Sequence, residues 1–428
     1  MMNKILLLLC MAVSELAFAQ TANTEINAQE VKRIETTLAS DDMRGRKAGS
    51  PDIDRAADFI AAEFKKVGLQ PLKGNSFLQP FTMVKPKFIS AKAVINNEEI
   101  NSRNVIVITS QPELNIDEHS GYEVQNINAG DNLFQKASGF VHANKNELVF
   151  VDSSFAKNFS RLMGFKRQLF KSDNSTVFIL GNYQPTQFSI QAQHSIEEVK
   201  FANVVGILPG KSKKNEYVIF SGLYDHLGVS SKPSGVDSIY NGANDDAAGT
   251  TAVIMLANYF KKLNNNERTI VFAAFTAEEI GGFGSQYFSS QFDPAQVMAM
   301  FNIEMIGTES KWGKNSAYIT GYEKTNMGEI LQQNLKGSNF TFYPDPYTEE
   351  NLFYRSDNAT LARLGVPAHT ISTAKMDQEP NYHKVSDEVS SLDIENMTEI
   401  IKAIATSSKS IISGKDTPSR VKAESLER

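Results

Sequence analysis

The chain nearly lacks cysteine: Cys10 is the only one in 428 residues. A single thiol cannot form a disulfide framework. If Cys10 is removed with the segment that carries it, a cysteine-ligated metal site and a thiol nucleophile are excluded too. A basic excess is also missing. Lys and Arg number 43 against 49 Asp and Glu, a net charge of −6. Electrostatics therefore gives no reason to expect nucleic acid or an anionic membrane as a partner. No stretch reaches the roughly 18 consecutive apolar residues of a stable membrane span. By contrast, a hydrophobic share of 41% is ordinary for a globular protein and too high for a disordered one.

The N-terminus has the texture of an export signal. Lys4 supplies a positive start, Ile5–Val13 an apolar run, and Ala17-Phe18-Ala19 a small-x-small cleavage site before Gln20. Residues 1–19 are expected to be a signal peptide, leaving an exported, periplasmic or extracellular chain without cysteine, which suits an oxidising compartment. A buried N-terminal helix and a lipid anchor on Cys10 are the alternatives, although Leu7-Leu8-Leu9 lacks the small residues expected before a lipidated cysteine.

Three textures follow. Ser50-Pro51 opens a helix in which Ala56, Phe59, Ile60, Phe64 and Val67 recur at helical spacing until Gly68. From about 86 to 200 short β-like runs alternate with turns: 104–109, 147–152, 176–180 and 188–192. From 201 to 412 continuous apolar strands (217–222, 268–276, 298–304, 368–373) alternate with helical segments such as 250–263. That alternation predicts an α/β fold: a mainly parallel, helix-covered sheet formed by 20–85 and 201–412, with an inserted β-rich module at 86–200. The polar stretch 413–428 is expected to be a flexible tail.

Parallel sheets place their sites beyond the carboxyl ends of the strands, and here those ends are acidic. The first apolar strand runs into Leu223-Tyr224-Asp225-His226, and the loop after it ends Asn244-Asp245-Asp246 before a helix. The next strand runs into Glu278-Glu279, the third ends in Glu304, and the fourth precedes Tyr382-His383 and Asp387. Each alone has a bland reading as helix cap, solvated pair or surface histidine. Together they form a carboxylate and imidazole set suited to zinc or another divalent ion.

The segments Asn241–Gly249, Phe275–Ser285, Asn302–Gly307 and Tyr382–Asp387 resemble the co-catalytic zinc metallopeptidase family, which includes leucyl-type aminopeptidases, glutamate carboxypeptidase and glutaminyl cyclase. The lead-in Leu38–Arg46 and the helix at 53–67 resemble its N-terminal segment, and Asn203–Gly210 its re-entry into the catalytic domain. The middle stretch sits where the family often carries a protease-associated insert. The resemblance implies a zinc exopeptidase fold in which Asp245 bridges two zinc ions and Glu279 and His383 complete one site. Glu278 is then the general base, taking a proton from the activated water and handing it to the leaving amine. Asp387 would orient His383. Asp357 and Tyr354, in a loop where the family usually reads Ser-Asp-His, would help position substrate.

One departure matters. The family's metal-binding histidine at the first strand exit is replaced by Leu223, and its aspartate by Glu304. Three outcomes stay open at this point. Asp225 or His226 substitutes and two metals bind, a single zinc is held as in glutaminyl cyclases, or activity is lost and a binding module remains. Asp225 shares a face with residue 223 if the strand persists, whereas His226 needs a turn. The expected activity is an aminopeptidase acting on peptides with a free N-terminus, with cyclisation of N-terminal glutamine as the alternative.

Overall fold

The computed structural model describes residues 26–231, 235 and 237–426, so the expected signal peptide lies outside the described residues. The chain divides into two compact units, one of residues up to Gln79 together with Ala202–Leu426, the other Pro80–Phe201. The division thus falls at 80 and 201, where the sequence texture had suggested 86 and 200.

The larger unit is built on a mixed sheet. Helices α1 (Ala28–Leu38) and α2 (Asp52–Val67) come first. Two long strands, β1 (Leu78–Ile95) and β2 (Phe188–Leu208), carry the chain out to the second unit and back. Then follow β3 (Lys213–Leu223), α3 (Ala248–Leu263), β4 (Arg268–Phe275), β5 (Val297–Ile303), β6 (Ser316–Ile319), β7 (Thr341–Pro344), β8 (Ala368–Ser372) and α4 (Ile394–Ser407). Across the sheet the order is β7-β6-β8-β5-β3-β4-β2. Strands β8, β5, β3 and β4 run parallel, and β6 and β2 are antiparallel to their neighbours β8 and β4. Strands β4 and β5 and the second half of β3 are mostly buried Val, Ile, Phe, Ala and Met, as a sheet covered on both faces requires, while β8 buries His369, Thr370 and Ser372 beside Ala368 and Ile371. One apolar layer packs α1 to α4 against Phe220, Phe272 and Phe301. The other packs Ile219, Val271 and Met300 against Phe288, Leu361 and Val421.

Helix α3 is buried over most of its circumference, and this close seat depends on glycine. A Cβ on Gly249 would lie 2.0 Å from the Ile303 carbonyl oxygen and 2.3 Å from an Asp246 carboxylate oxygen. The helix start therefore rests directly on the end of β5, which brings residues 244–246 to the strand exits.

The expected flexible tail is corrected. Val421 and Leu426 join the second apolar layer. Arg420 donates to the Val297 and Pro294 carbonyls, and Arg268 reaches back to the Asp416 carbonyl and Thr417 hydroxyl. These contacts bridge large sequence separations, so local polarity could not reveal them.

In the second unit a four-stranded sheet runs 105–108, 176–180, 147–151 and 123–127. Its first pairing is antiparallel and the other two are parallel. Helix Leu133–Val141 and residues Phe159 and Leu162 cover one face.

Candidate metal centre

All four parallel strands deliver side chains to one end of the sheet. Several backbone turns there are left-handed at non-glycine residues: Ala277 (φ 60°) before Glu278, Met305 (φ 54°) after Glu304, and His383 itself (φ 55°). Such conformations are disfavoured and persist where the surroundings over-determine them, as they do at functional sites.

At the centre, His383 Nε2 lies 3.2 Å from Asp245 Oδ2 and 3.3 Å from Glu279 Oε2. Donors around a tetrahedral zinc ion with bonds near 2.0 Å are separated by about 3.3 Å, so these spacings fit three ligands around one ion. The other Glu279 oxygen, Oε1, faces His226 Nδ1 at 2.7 Å. Since a carboxylate only accepts, Nδ1 carries the proton and donates. His226 Nδ1 is 3.9 Å from Asp245 Oδ2, outside hydrogen-bond reach. Its Nε2 is buried without a partner among the described residues. His226 therefore holds the Glu279 oxygen that does not face His383, and its ring meets that of His383 edge-on at 5.7 Å between centroids. Tyr382 stacks on His383 at 3.9 Å between ring centroids.

A cavity of about 60 Å³ opens beside these groups, lined by Asp245, Glu278, Glu304, Ser356, Tyr382 and His383 among others. Glu304 accepts a hydrogen bond from Ser356, whose oxygen accepts from Asn302, which in turn accepts from Ser221. Burial, reinforced by Glu304, Asp357 and Asp225, pushes the Glu278 carboxyl well above its ordinary range. Burial and Asp245 raise Glu304 to about 8, and burial raises Asp357 to about 7. At Glu279 burial acts upward, but hydrogen bonds from His226 and His383 outweigh it and hold the carboxyl at about 2. His383 is raised to about 10 by its hydrogen bonds to Asp245 and Glu279. So many buried acids facing one cavity call for a cation, and a carboxylate and imidazole set suits zinc.

The remaining expectations resolve by where each carboxylate points. Asp225 is corrected as a substitute ligand: β3 ends at Leu223, and both Asp225 oxygens accept backbone N–H groups, from Glu278 at 3.1 Å and Glu279 at 3.4 Å. Asp387 is corrected as well. It orients Asp245 rather than His383, accepting from the Asn244 and Asp245 amides at 2.8 and 3.0 Å. His226 does turn to the centre, where it stands with Asp245 and Glu279 in a group close enough together to hold a metal ion. Asp357 is fully buried beside the Glu278 and Glu304 carboxylates and outside the cavity lining, where Leu352, Arg355 and Ser356 stand instead. Tyr354 packs on Phe353 and the second apolar layer, away from the cavity.

Asp246 was not foreseen as a site organiser. It accepts from the amides of Leu223, Gly249 and Met305, joining the ends of β3, α3 and β5. Its position directly after Asp245 was the available signal.

Residues 203–408 match the family model for peptidase family M28. The chain carries a peptidase family M28 domain. This M28 domain contains every group of the centre just described, while residues 26–79 add α1, α2 and the turn between them. Among similar proteins, a probable zinc metalloprotease of Pyrenophora teres f. teres is 34% identical over 111 residues, 26% of this chain and 23% of that protein. Leucine aminopeptidase 1 of Coccidioides posadasii is 23% identical over 265 residues, 56% of this chain and 66% of that protein. The chain thus spans about a quarter of the first relative and just under two thirds of the second. In fold, the aminopeptidase from Aneurinibacillus sp. strain AM-1 superposes with a TM-score of 0.54 at 17% identity, covering 95% of this chain and 98% of that one.

Proposed function

We propose that this chain is an exported zinc-dependent aminopeptidase that hydrolyses N-terminal residues from peptides and works with one metal ion per chain. The observation that carries the reading is the set Asp245, Glu279 and His383, spaced as ligands of one ion, with Glu278 in the same cavity. The M28 family match and the aminopeptidase named among the similar proteins support the peptide substrate.

Asp245, Glu279 and His383 would hold the zinc, which when bound supplies a Lewis acid that polarises the scissile carbonyl and acidifies water. Three protein ligands leave the open position a catalytic site needs. The chain's own residues do the rest. Glu278 is off the ligand triangle but adjacent to Glu279, so it can take a proton from the attacking water and deliver it to the departing amine. His226 holds Glu279 by Oε1 so that Oε2 faces His383, and Asp387 holds the backbone at Asp245.

Leu223 supports the one-metal form. It is fully buried where the family places a histidine ligand, Asp225 is taken up by two backbone amides, and His226 joins the Asp245 and Glu279 side of the centre.

The test is elemental analysis of protein purified without chelator, run beside hydrolysis of a panel of amino-acid amides. One zinc per chain with amide hydrolysis that Glu278→Gln abolishes is the expected result. Release of ammonia from glutaminyl peptides without amide hydrolysis would mark a cyclase instead, and zinc binding without turnover a binding homologue. Export predicts that the mature protein recovered outside the cytoplasm starts at Gln20.

A further inference from the structure

The turn between α1 and α2 has so far no part in the chemistry, yet it sits against both loops that build the centre. Asp225 and His226 follow β3, and Asn244 and Asp245 precede α3. Arg46 lies between these loops and is entirely buried. Its Nε donates to the Tyr224 carbonyl at 2.8 Å and its Nη2 to the Gly242 carbonyl at 2.9 Å. Nη1 donates to the carbonyls of Leu38 at 2.7 Å and Asn241 at 2.6 Å. The backbone joins in: the His226 amide donates to the Arg46 carbonyl at 3.2 Å, and the Asn241 side chain donates to Ala39 and Asp41.

Two features show that this is a demanding arrangement. Arg44, Gly45 and Arg46 are all left-handed, with φ of 48°, 65° and 46°, a conformation arginine rarely adopts. The segment is also pressed against the site loops, since a Cβ on Gly45 would lie 2.4 Å from the Gly228 carbonyl oxygen and 2.6 Å from that of Tyr240. A buried guanidinium is normally matched to a carboxylate. Here its hydrogen-bond partners are all backbone carbonyls, and they come from three separate segments. The planar fork is the part that suits this task, because a lysine ammonium cannot span the three segments at once.

We propose that Arg46 is a positioning residue for the metal centre: its guanidinium locks the loop of His226 to the loop of Asp245, and so sets the distance between Asp245 and the imidazole that holds Glu279. The inference rests on the proposed metal site.

The test measures zinc affinity by chelator competition and the visible absorption of the cobalt-substituted protein, in wild type, Arg46→Lys and Arg268→Lys. Arg268 is a matched control. It is equally buried and also bonds to backbone carbonyls, but it stands at the start of β4, at the far end of the strand from Glu278. Arg46→Lys should weaken zinc binding by about 10- to 100-fold, the usual size for a group that supports ligands from behind, and should shift the cobalt band. Arg268→Lys should lower thermal stability with zinc affinity and the cobalt band unchanged. Should Arg46→Lys fail to fold, Gly45→Ala displaces the same segment with the guanidinium intact and is expected to shift the cobalt band likewise. Wild-type affinity and spectrum in the folded Arg46 variant, or in Gly45→Ala when that variant stands in for it, overturn the proposal. So does an equal loss in Arg268→Lys. A wild-type chain that binds no stoichiometric zinc overturns this proposal and the metal site together, which separates the two failures.

Discussion

Leu223→His tests the one-metal reading from both directions. Leu223 is fully buried at the end of β3, and by strand alternation it leaves the sheet on the same side as Ser221. That side holds the Ser221–Asn302–Ser356–Glu304 chain of hydrogen bonds. Replacing leucine removes apolar burial of about 2 kcal/mol. It also buries an imidazole with unmet hydrogen-bonding capacity, which costs about 1–3 kcal/mol. The metal-free variant should therefore lose about 3–5 kcal/mol. At roughly 2 °C per kcal/mol for a unit of this size, its melting temperature should fall by about 6–10 °C.

With zinc most of this deficit is offset. The new imidazole, Asp245 and Glu304 together make a second ligand set, and binding at a thousandfold excess over Kd returns about 4 kcal/mol. Thermal melts of wild type and variant, each with chelator and with zinc, give the four numbers, and elemental analysis gives the stoichiometry. The variant should gain one ion per chain and gain more from zinc than wild type does. Two ions in the wild type, or a variant whose deficit zinc does not relieve, would refute the reasoning.

Other outcomes follow from the same geometry. Glu278→Gln should lower kcat by about 10²- to 10⁴-fold with the zinc content unchanged, read by steady-state kinetics and elemental analysis. His226→Ala frees Glu279 Oε1 and should weaken zinc binding by about 10- to 100-fold in chelator competition. Glu35 of α1 is fully buried, with Oε2 accepting from Thr251 of α3 and Oε1 without a partner among the described residues. Burial raises its carboxyl from 4.5 to about 8, so the folded state keeps a proton that the unfolded chain releases. That stabilisation is fully present below about pH 4.5 and is lost as pH rises through about 8, a swing of up to about 5 kcal/mol. Glu35→Gln should flatten this part of the stability–pH curve measured by denaturant unfolding, and an unchanged slope between pH 5 and 8 would count against a buried, protonated Glu35.

The parallel strands and the acidic strand exits were legible because both depend on local pattern: continuous apolar runs, three of them leading directly into Asp or Glu. What lay beyond reach was the direction in which each acid points. Asp225, Asp246 and Asp387 look in the sequence like Asp245 and Glu279, yet each accepts two or more backbone N–H groups. The carboxylates of Asp245 and Glu279 instead face His383, that of Glu304 faces Ser356, and that of Glu278 lines the cavity. The division has a physical cause. A buried carboxylate whose oxygens are taken up by amides has little capacity left for a cation, so it serves to fix loops, although burial outweighs those amides and raises the carboxyl of all three. One that meets only side chains keeps lone pairs for a metal or a proton. Apart from the Gly249 amide, three residues after Asp246, these amides come from residues 23 to 143 positions away, brought near by the sheet, and no spacing rule could supply them. The strand end decides the matter at Asp225: had β3 run two residues further, Asp225 would have emerged on the face of Leu223. Because the chain turns after Leu223, the aspartate binds the Glu278 and Glu279 amides, and the histidine after it reaches Glu279. The acid nearest the missing ligand thus serves to hold the base and a ligand in place.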